Sequence, residues 1–164
     1  MIKGKVWKYG DDVNTDVIFP GRHTYTVTDP DEIASHALED LDADFAKNVK
    51  PGDIVVAGKN FGCGSSREQA ALCLKYAGVA AVVAASFARI FFRNAINAGL
   101  PTVAAPEAIP HINAGDEITI DFRAGELTAA DGSSYKFTAL PPEVIGILEA
   151  GGLVPYVKKE LANK

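Results

Sequence analysis

Ile54-Val55-Val56-Ala57-Gly58-Lys59-Asn60-Phe61-Gly62-Cys63-Gly64-Ser65-Ser66-Arg67-Glu68-Gln69-Ala70 is the stretch on which the fold class turns. Ile54–Ala57 follow the turn signal Pro51-Gly52-Asp53 and read as a fully buried strand. A glycine-bearing loop runs from Gly58 to Gly64. Ser65 or Ser66 then opens a helix, since Ser65 with Glu68 and Ser66 with Gln69 both fit the capping-box spacing. The helix reaches about Tyr76 and ends at Gly78. A glycine loop between a buried strand and a helix start is an anion site in outline, because free N–H groups and the helix dipole face the ligand. Arg67 adds a fork of donors suited to a carboxylate.

C-terminal to this unit the pattern repeats. Val79–Ala84 is a second buried run, Ser86 opens a helix to about Ala98 closed by Gly99, and Pro101–Ala104 is again strand-like. Strand–helix–strand–helix–strand order argues for parallel pairing and an α/β class. Asp116–Phe122 then alternates as a half-buried strand should, and Leu127-Thr128 with Tyr135–Thr138 form a hairpin. Pro141-Pro142-Glu143 starts a last helix, ended by Gly151-Gly152. The tail after Tyr156 is polar and is expected to fray over about 157–164. N-terminal to the unit, Val6-Trp7 and Val17-Ile18-Phe19 are strand-like. Asp29-Pro30-Asp31-Glu32 is a helix start, followed at helical spacing by Ile33, Ala34, Ala37, Leu38 and Leu41. Residues 1–164 are expected to be one domain.

Composition narrows the function. The net charge of −5, without a basic run, speaks against nucleic acid or an anionic membrane as partner. There is no signal-peptide pattern and no apolar stretch of about 18 residues, so the expected location is the cytoplasm. Cys63 and Cys73 are the only cysteines, too few for an iron–sulfur cluster, which takes about four thiolates. His23, His36 and His111 lie far apart and lack metal-site spacing. If the chemistry uses a metal, another chain must carry most of its ligands. The loop is neither G-x-x-x-x-G-K-[ST] nor G-x-S-x-G. Cys63 reads as a small loop residue and Cys73 as core. Arg89 and Arg93, with Asn94 and Asn97, form a polar stripe that faces the site, a partner or solvent.

Three segments in order carry a resemblance. Asn60–Glu68 resembles the N-F-G-x-G-S-S-R-E signature of small subunits of 3-isopropylmalate dehydratase and related hydro-lyases of the aconitase superfamily. Asp11–Ile18 is similar to that family's D-D-[IV]-[ND]-T-D-x-I segment, and Ser86–Pro101 to its S-F-A-R-I-F-x-R-N-x-x-N-x-G-L-P segment. The resemblance covers most of residues 3–105. It implies an α/β swivelling domain of β/β/α type, with a mixed, partly closed sheet packed on helices. It also implies a large partner subunit carrying a [4Fe-4S] cluster, with no metal held by this chain. The reaction would be removal and re-addition of water on a hydroxy-dicarboxylic acid. In the branched-chain case this belongs to leucine biosynthesis.

By resemblance Ser65 is the base that takes the proton from carbon, Ser66 and Arg67 bind substrate carboxylate, and Asp16 is a second catalytic residue at the edge of the site, helping the proton relay or orienting a partner. Substrate choice falls to Arg22, His23, Thr24 and Tyr25, in a loop where relatives often read Arg-Tyr-Leu. Gln69, where many relatives have His, and Ala71, where many have Pro, also depart from the pattern. The leading acid is of the 3-isopropylmalate type, with the dimethylmalate and homoaconitate types as alternatives that these departures keep open. His23 is open between a substrate contact and an exposed loop histidine. A stand-alone anion-binding module is the non-enzymatic alternative.

Overall fold

In the computed structural model, which describes residues 1–163, seven strands form one mixed sheet. They are β1 (Ile2–Lys8), β2 (Ile54–Ala57), β3 (Ala81–Ala84), β4 (Thr102–Ala104), β5 (Glu117–Asp121), β6 (Glu126–Thr128) and β7 (Ser134–Lys136), in the spatial order β4-β3-β2-β1-β5-β6-β7. β1 to β4 pair in parallel, and β5, β6 and β7 add antiparallel beyond β1. The expected parallel unit and the hairpin, with Leu127 opposite Tyr135, are both present.

The continuous apolar runs of β2 and β3 follow from burial on both faces. Val55, Ala57, Val82 and Ala84 point into a core shared with the helices, among Phe19, Phe45, Phe61, Leu74 and Phe91. Ile54, Val56, Ala81 and Val83 point the other way, into a core shared with Ile118 and Ile120 of β5 and Leu127 of β6. The antiparallel half of the sheet therefore curls over the parallel half. This is the mixed, partly closed sheet on helices that the resemblance implies.

The helices are α1 (Thr15–Ile18), α2 (Pro30–Ser35), α3 (Phe45–Asn48), α4 (Glu68–Tyr76), α5 (Arg89–Ala98), α6 (Pro142–Ala150) and α7 (Leu153–Ala162). α4 and α5 are the crossovers after β2 and β3. The start of α2 is as expected: Asp29 Oδ2 accepts from the Glu32 N–H at 3.1 Å, with Pro30 at the first helical position. Asp29→Ala is expected to cost about 1 kcal/mol, read as a lowered urea midpoint with unchanged slope.

Five local expectations are corrected. Val17–Phe19 is no strand. Asn14 Oδ1 accepts from the Asp16 and Val17 N–H groups at 2.9 and 3.2 Å, and this cap commits Thr15–Ile18 to a helical turn. α2 stops at Ser35 short of Leu41, because Leu38 turns to a φ of 55° and donates its N–H to the Ile18 carbonyl at 2.8 Å. Neither Ser65 nor Ser66 caps α4; Arg67 occupies the N-cap, with no side-chain cap bond. Ser86 does not open α5 either. Its hydroxyl accepts from the Asn60 N–H at 2.8 Å, and the N-cap is Ala88. The polar tail, expected to fray, is helical through Ala162 in α7, and Lys164 lies outside the described residues.

Candidate active site at the β2–α4 loop

Beyond the C-terminal ends of β1, β2 and β3 three loops run side by side. Gly62 donates its N–H to the Val13 carbonyl at 2.7 Å, and Thr15 donates its own to the Cys63 carbonyl at 2.8 Å. Phe61 donates to the Ser86 carbonyl at 3.0 Å, and Ala88 returns a bond to the Phe61 carbonyl at 2.9 Å. Thr15 Oγ1 donates to the Ser65 carbonyl at 2.8 Å. These bonds keep both serines out of the helix, and with Arg67 extended α4 starts only at Glu68.

Gly62 is the pivot of this arrangement. Its φ is +84°, and a β-carbon there would lie 2.2 Å from Phe91 Cγ. Only a glycine lets α5 close against the loop. Phe61, Phe87 and Phe91 pack around this contact, with Phe61 and Phe91 edge-to-face at 5.1 Å between centroids.

A cavity of about 250 Å³ opens beside this pivot, between the loop and α5. Ser65, Ser66 and Arg67 line one side; Arg89, Ile90 and Asn94 line the other, with Thr15 and the two loop glycines at the base. Both serines are exposed, while Arg67 is only partly so. Arg67 Nη1 pairs with Asp16 Oδ1 and approaches the Phe19 carbonyl at 3.4 Å. Asp16 therefore orients the guanidinium, which keeps its remaining N–H groups for an incoming anion.

The polar stripe on α5 now divides: Arg89 and Asn94 line the cavity, whereas Arg93 is exposed and outside it. Arg89 was not separable from Arg93 by spacing. One sequence signal marks it, a cation in the first turn of a helix, where the dipole disfavours positive charge. α4 and α5 both start without a side-chain cap, and both starts adjoin the cavity. The uncapped starts of two helices thus converge with two arginines on one small space. The arrangement suits an oxygen-rich anion with more than one carboxylate.

Residues 22–25 lie apart from this cavity. Arg22 forms a two-pronged bond to Asp40, 3.1 Å on each arm, and reaches Glu39 at 3.4 Å. His23 stacks on His36 and bonds Glu39. Thr24 buries an unpartnered hydroxyl, and Tyr25 is 94% exposed. The loop touches the site indirectly. Gly21 sits against the Arg67 guanidinium, since a β-carbon there would lie 2.9 Å from Nη2. Gln69 Nε2 reaches the Thr24 carbonyl at 3.5 Å, so two of the three departures from the family pattern meet in space.

The cysteines are separate. Cys73 is buried in the core with its thiol pushed well above the usual range by desolvation, and Cys63 is half-buried in the loop. They do not make the cradle of a cluster. Among the described residues no helix is long and apolar enough to cross a membrane.

Comparison with known proteins gives the family and the fold. Residues 14–108, which contain every lining residue of the cavity, match the model of the aconitase C-terminal domain. The chain is 54% identical over 164 residues to the 3-isopropylmalate dehydratase small subunit of Aquifex aeolicus, covering 99% of this chain and 97% of that one. It is 53% identical over 156 residues to the 2,3-dimethylmalate dehydratase small subunit of Eubacterium barkeri, covering 94% and 95%. A crystal structure of 3-isopropylmalate dehydratase from Methanocaldococcus jannaschii superposes with a TM-score of 0.90 at 48% identity, covering 98% of this chain and 95% of that chain.

Proposed function

The chain belongs to the aconitase C-terminal domain family, among the small subunits of hydro-lyases of the isopropylmalate and dimethylmalate dehydratase type, and we propose that it completes the active site of a cluster-bearing large subunit. The two together remove water from a hydroxy-dicarboxylic acid and return it at the neighbouring carbon. The carrying observation is the single cavity that gathers Ser65, Ser66, Arg67 and Arg89 at two uncapped helix starts. In this reading residues 1–164 act as one swivelling lid.

The roles follow from charge and position. Arg67, oriented by Asp16, grips one substrate carboxylate, and Ser66 donates to it. Arg89 and the α5 N-terminus meet the second carboxylate. Ser65 takes the proton from carbon, and the hydroxyl leaves from the adjacent carbon.

A serine hydroxyl is a very weak acid, so this assignment has an energetic condition. A helix N-terminus supplies at most about 2 kcal/mol toward an anion, and one placed oxyanion donor about 3–4 kcal/mol. Together these fall short of ionising an exposed serine in water. The alkoxide therefore exists only when the lid is shut and water is excluded, with the cations of both subunits around it. The [4Fe-4S] cluster is assigned to the large subunit and supplies Lewis-acid chemistry there.

Isopropylmalate and dimethylmalate dehydratase subunits stand at 54% and 53% identity, so overall likeness does not choose the acid. Either substrate presents two carboxylates and a hydroxyl to the same cavity. The test is reconstitution. The purified chain alone is expected to give no turnover of 3-isopropylmalate or 2,3-dimethylmalate, and to restore it when added to a cluster-loaded large subunit. Turnover by the chain alone would overturn the reading, as would an anion affinity that no large subunit converts into activity.

A further inference from the structure

The histidines that look isolated in sequence are not isolated in space. His23, in the short 3-10 turn Gly21–His23, stacks on His36, the residue that ends α2. Their rings are 3.8 Å apart and 17° from parallel. His23 Nε2 and His36 Nδ1 lie 2.9 and 3.1 Å from the same oxygen, Glu39 Oε2. All three side chains are largely shielded, at 17, 21 and 34% exposure. We propose that His23, His36 and Glu39 bind one divalent transition-metal ion, zinc being the best match, and that the ion clamps the 20–27 loop to the end of α2.

The donor set is two imidazoles and a carboxylate, the set that three-ligand zinc sites use with a fourth position left to water. Zinc bonds of about 2.0–2.1 Å place neighbouring tetrahedral ligand atoms about 3.3 Å apart. The two nitrogen–oxygen edges are already close to that, and the three ligand atoms lie within 4.8 Å of one another. A ligating imidazole holds its metal in the ring plane, so binding requires the two stacked rings to swing apart about their side-chain torsions until both nitrogens aim at one point beside Glu39 Oε2. In the hydrogen-bonded form each histidine donates from the nitrogen that faces Glu39. Coordination moves that proton to the other ring nitrogen, so neutral histidines stay neutral and no proton is lost. Buried Phe19 stands edge-on to both rings, at 6.0 and 6.4 Å, and gives the site an apolar wall. Arg22 bonds Asp40 through both Nη atoms and lies 3.4 Å from Glu39 Oε2 itself, so an ion in the site takes that oxygen over from the guanidinium, which Asp40 continues to hold.

The site has a place in the work of the loop. Gly21 rests on the Arg67 guanidinium and the Thr24 carbonyl meets Gln69. Fixing His23 fixes both contacts on either side of it. The loop has no strand partner of its own, so a bound ion would hold it where the hydrogen bonds of Glu39 hold it more weakly.

The test uses the whole chain, stripped with a chelator and titrated with Zn²⁺ against a chromogenic indicator, while histidine side-chain NMR signals are followed. One ion per chain is expected, with a Kd of about 10 µM or tighter. The signals of His23 and His36 should shift, and that of His111, stacked on Tyr135 elsewhere, should not. Glu39→Gln should weaken binding at least about tenfold, which is about 1.4 kcal/mol, and His23→Asn at least as much; circular dichroism confirms that each variant is folded. The proposal is overturned by absence of saturable binding up to about 1 mM. It is equally overturned by binding that shifts His111 alone, that disappears once Cys63 is alkylated, or that both folded variants retain in full.

Discussion

Ser65→Ala is expected to lower kcat of the reconstituted two-subunit enzyme by about 10²–10⁴-fold, the range that one positioned proton-transfer group contributes. Assembly should be unchanged. The substitution is unusually clean because Ser65 contributes to the fold through its backbone: its carbonyl accepts from Thr15 Oγ1 at 2.8 Å, and alanine keeps that carbonyl. The side chain caps no helix, since Arg67 holds the N-cap of α4. What alanine removes is therefore the hydroxyl facing the cavity. Ser66→Ala in the same assay should act mainly on KM, because a carboxylate ligand contributes to ground-state and transition-state binding alike. Steady-state rates and co-elution with the large subunit give both readouts. Full kcat in Ser65→Ala, or a loss confined to KM, would move the proton-abstracting role to another group.

The parts of the fold that could be read from sequence are those set by burial. Ile54–Ala57 and Ala81–Ala84 are apolar without interruption because helices cover one face and the curled β5–β6 half covers the other. The antiparallel strand Glu117–Asp121 alternates because only Ile118 and Ile120 face inward. The helix starts at Ser65 and Ser86 were misplaced for one physical reason. A capping motif competes with tertiary bonds, and here the tertiary bonds win: Thr15 holds the Ser65 carbonyl, and Asn60 takes the Ser86 hydroxyl. Those displaced starts are what leave two helix ends uncapped at the cavity. The site was thus legible as a set of residues, Ser65, Ser66 and Arg67, but not as a geometry. Arg89 joins them from a different crossover, and Asp16 joins from a helical turn that reads as a strand. The loop 21–25 was legible only as a departure from relatives. Its partners, Glu39 and Asp40, lie well downstream, and no local pattern links them.

Gly62→Ala is expected to be severely destabilising, and Gly64→Ala shows why. Both glycines have positive φ, +84° and +98°, so alanine meets the same kind of backbone strain at each, on the order of 1–3 kcal/mol. Their surroundings differ. At Gly64 the nearest atom to the added carbon is Thr15 Oγ1 at 3.4 Å, an ordinary contact. At Gly62 the added carbon falls 2.2 Å from Phe91 Cγ and 2.3 Å from its Cβ, in the first turn of α5. Phe91 cannot swing away, because it is 2% exposed and packed against Phe61 and Phe87. Overpacking of this kind adds about 1–3 kcal/mol more. The sum, about 2–6 kcal/mol, is a large part of the stability of a domain this size. Urea unfolding of the isolated chain should therefore rank wild type above Gly64→Ala and Gly64→Ala well above Gly62→Ala. Where Gly62→Ala does fold, α5 must retreat from the loop and carry Arg89 with it. Cooling or a stabilising osmolyte should then restore folded chain without restoring activity to the large subunit. Equal stability of the two variants would mean that α5 does not close on the loop at Gly62, and the shared cavity of Ser65 and Arg89 would lose its structural basis.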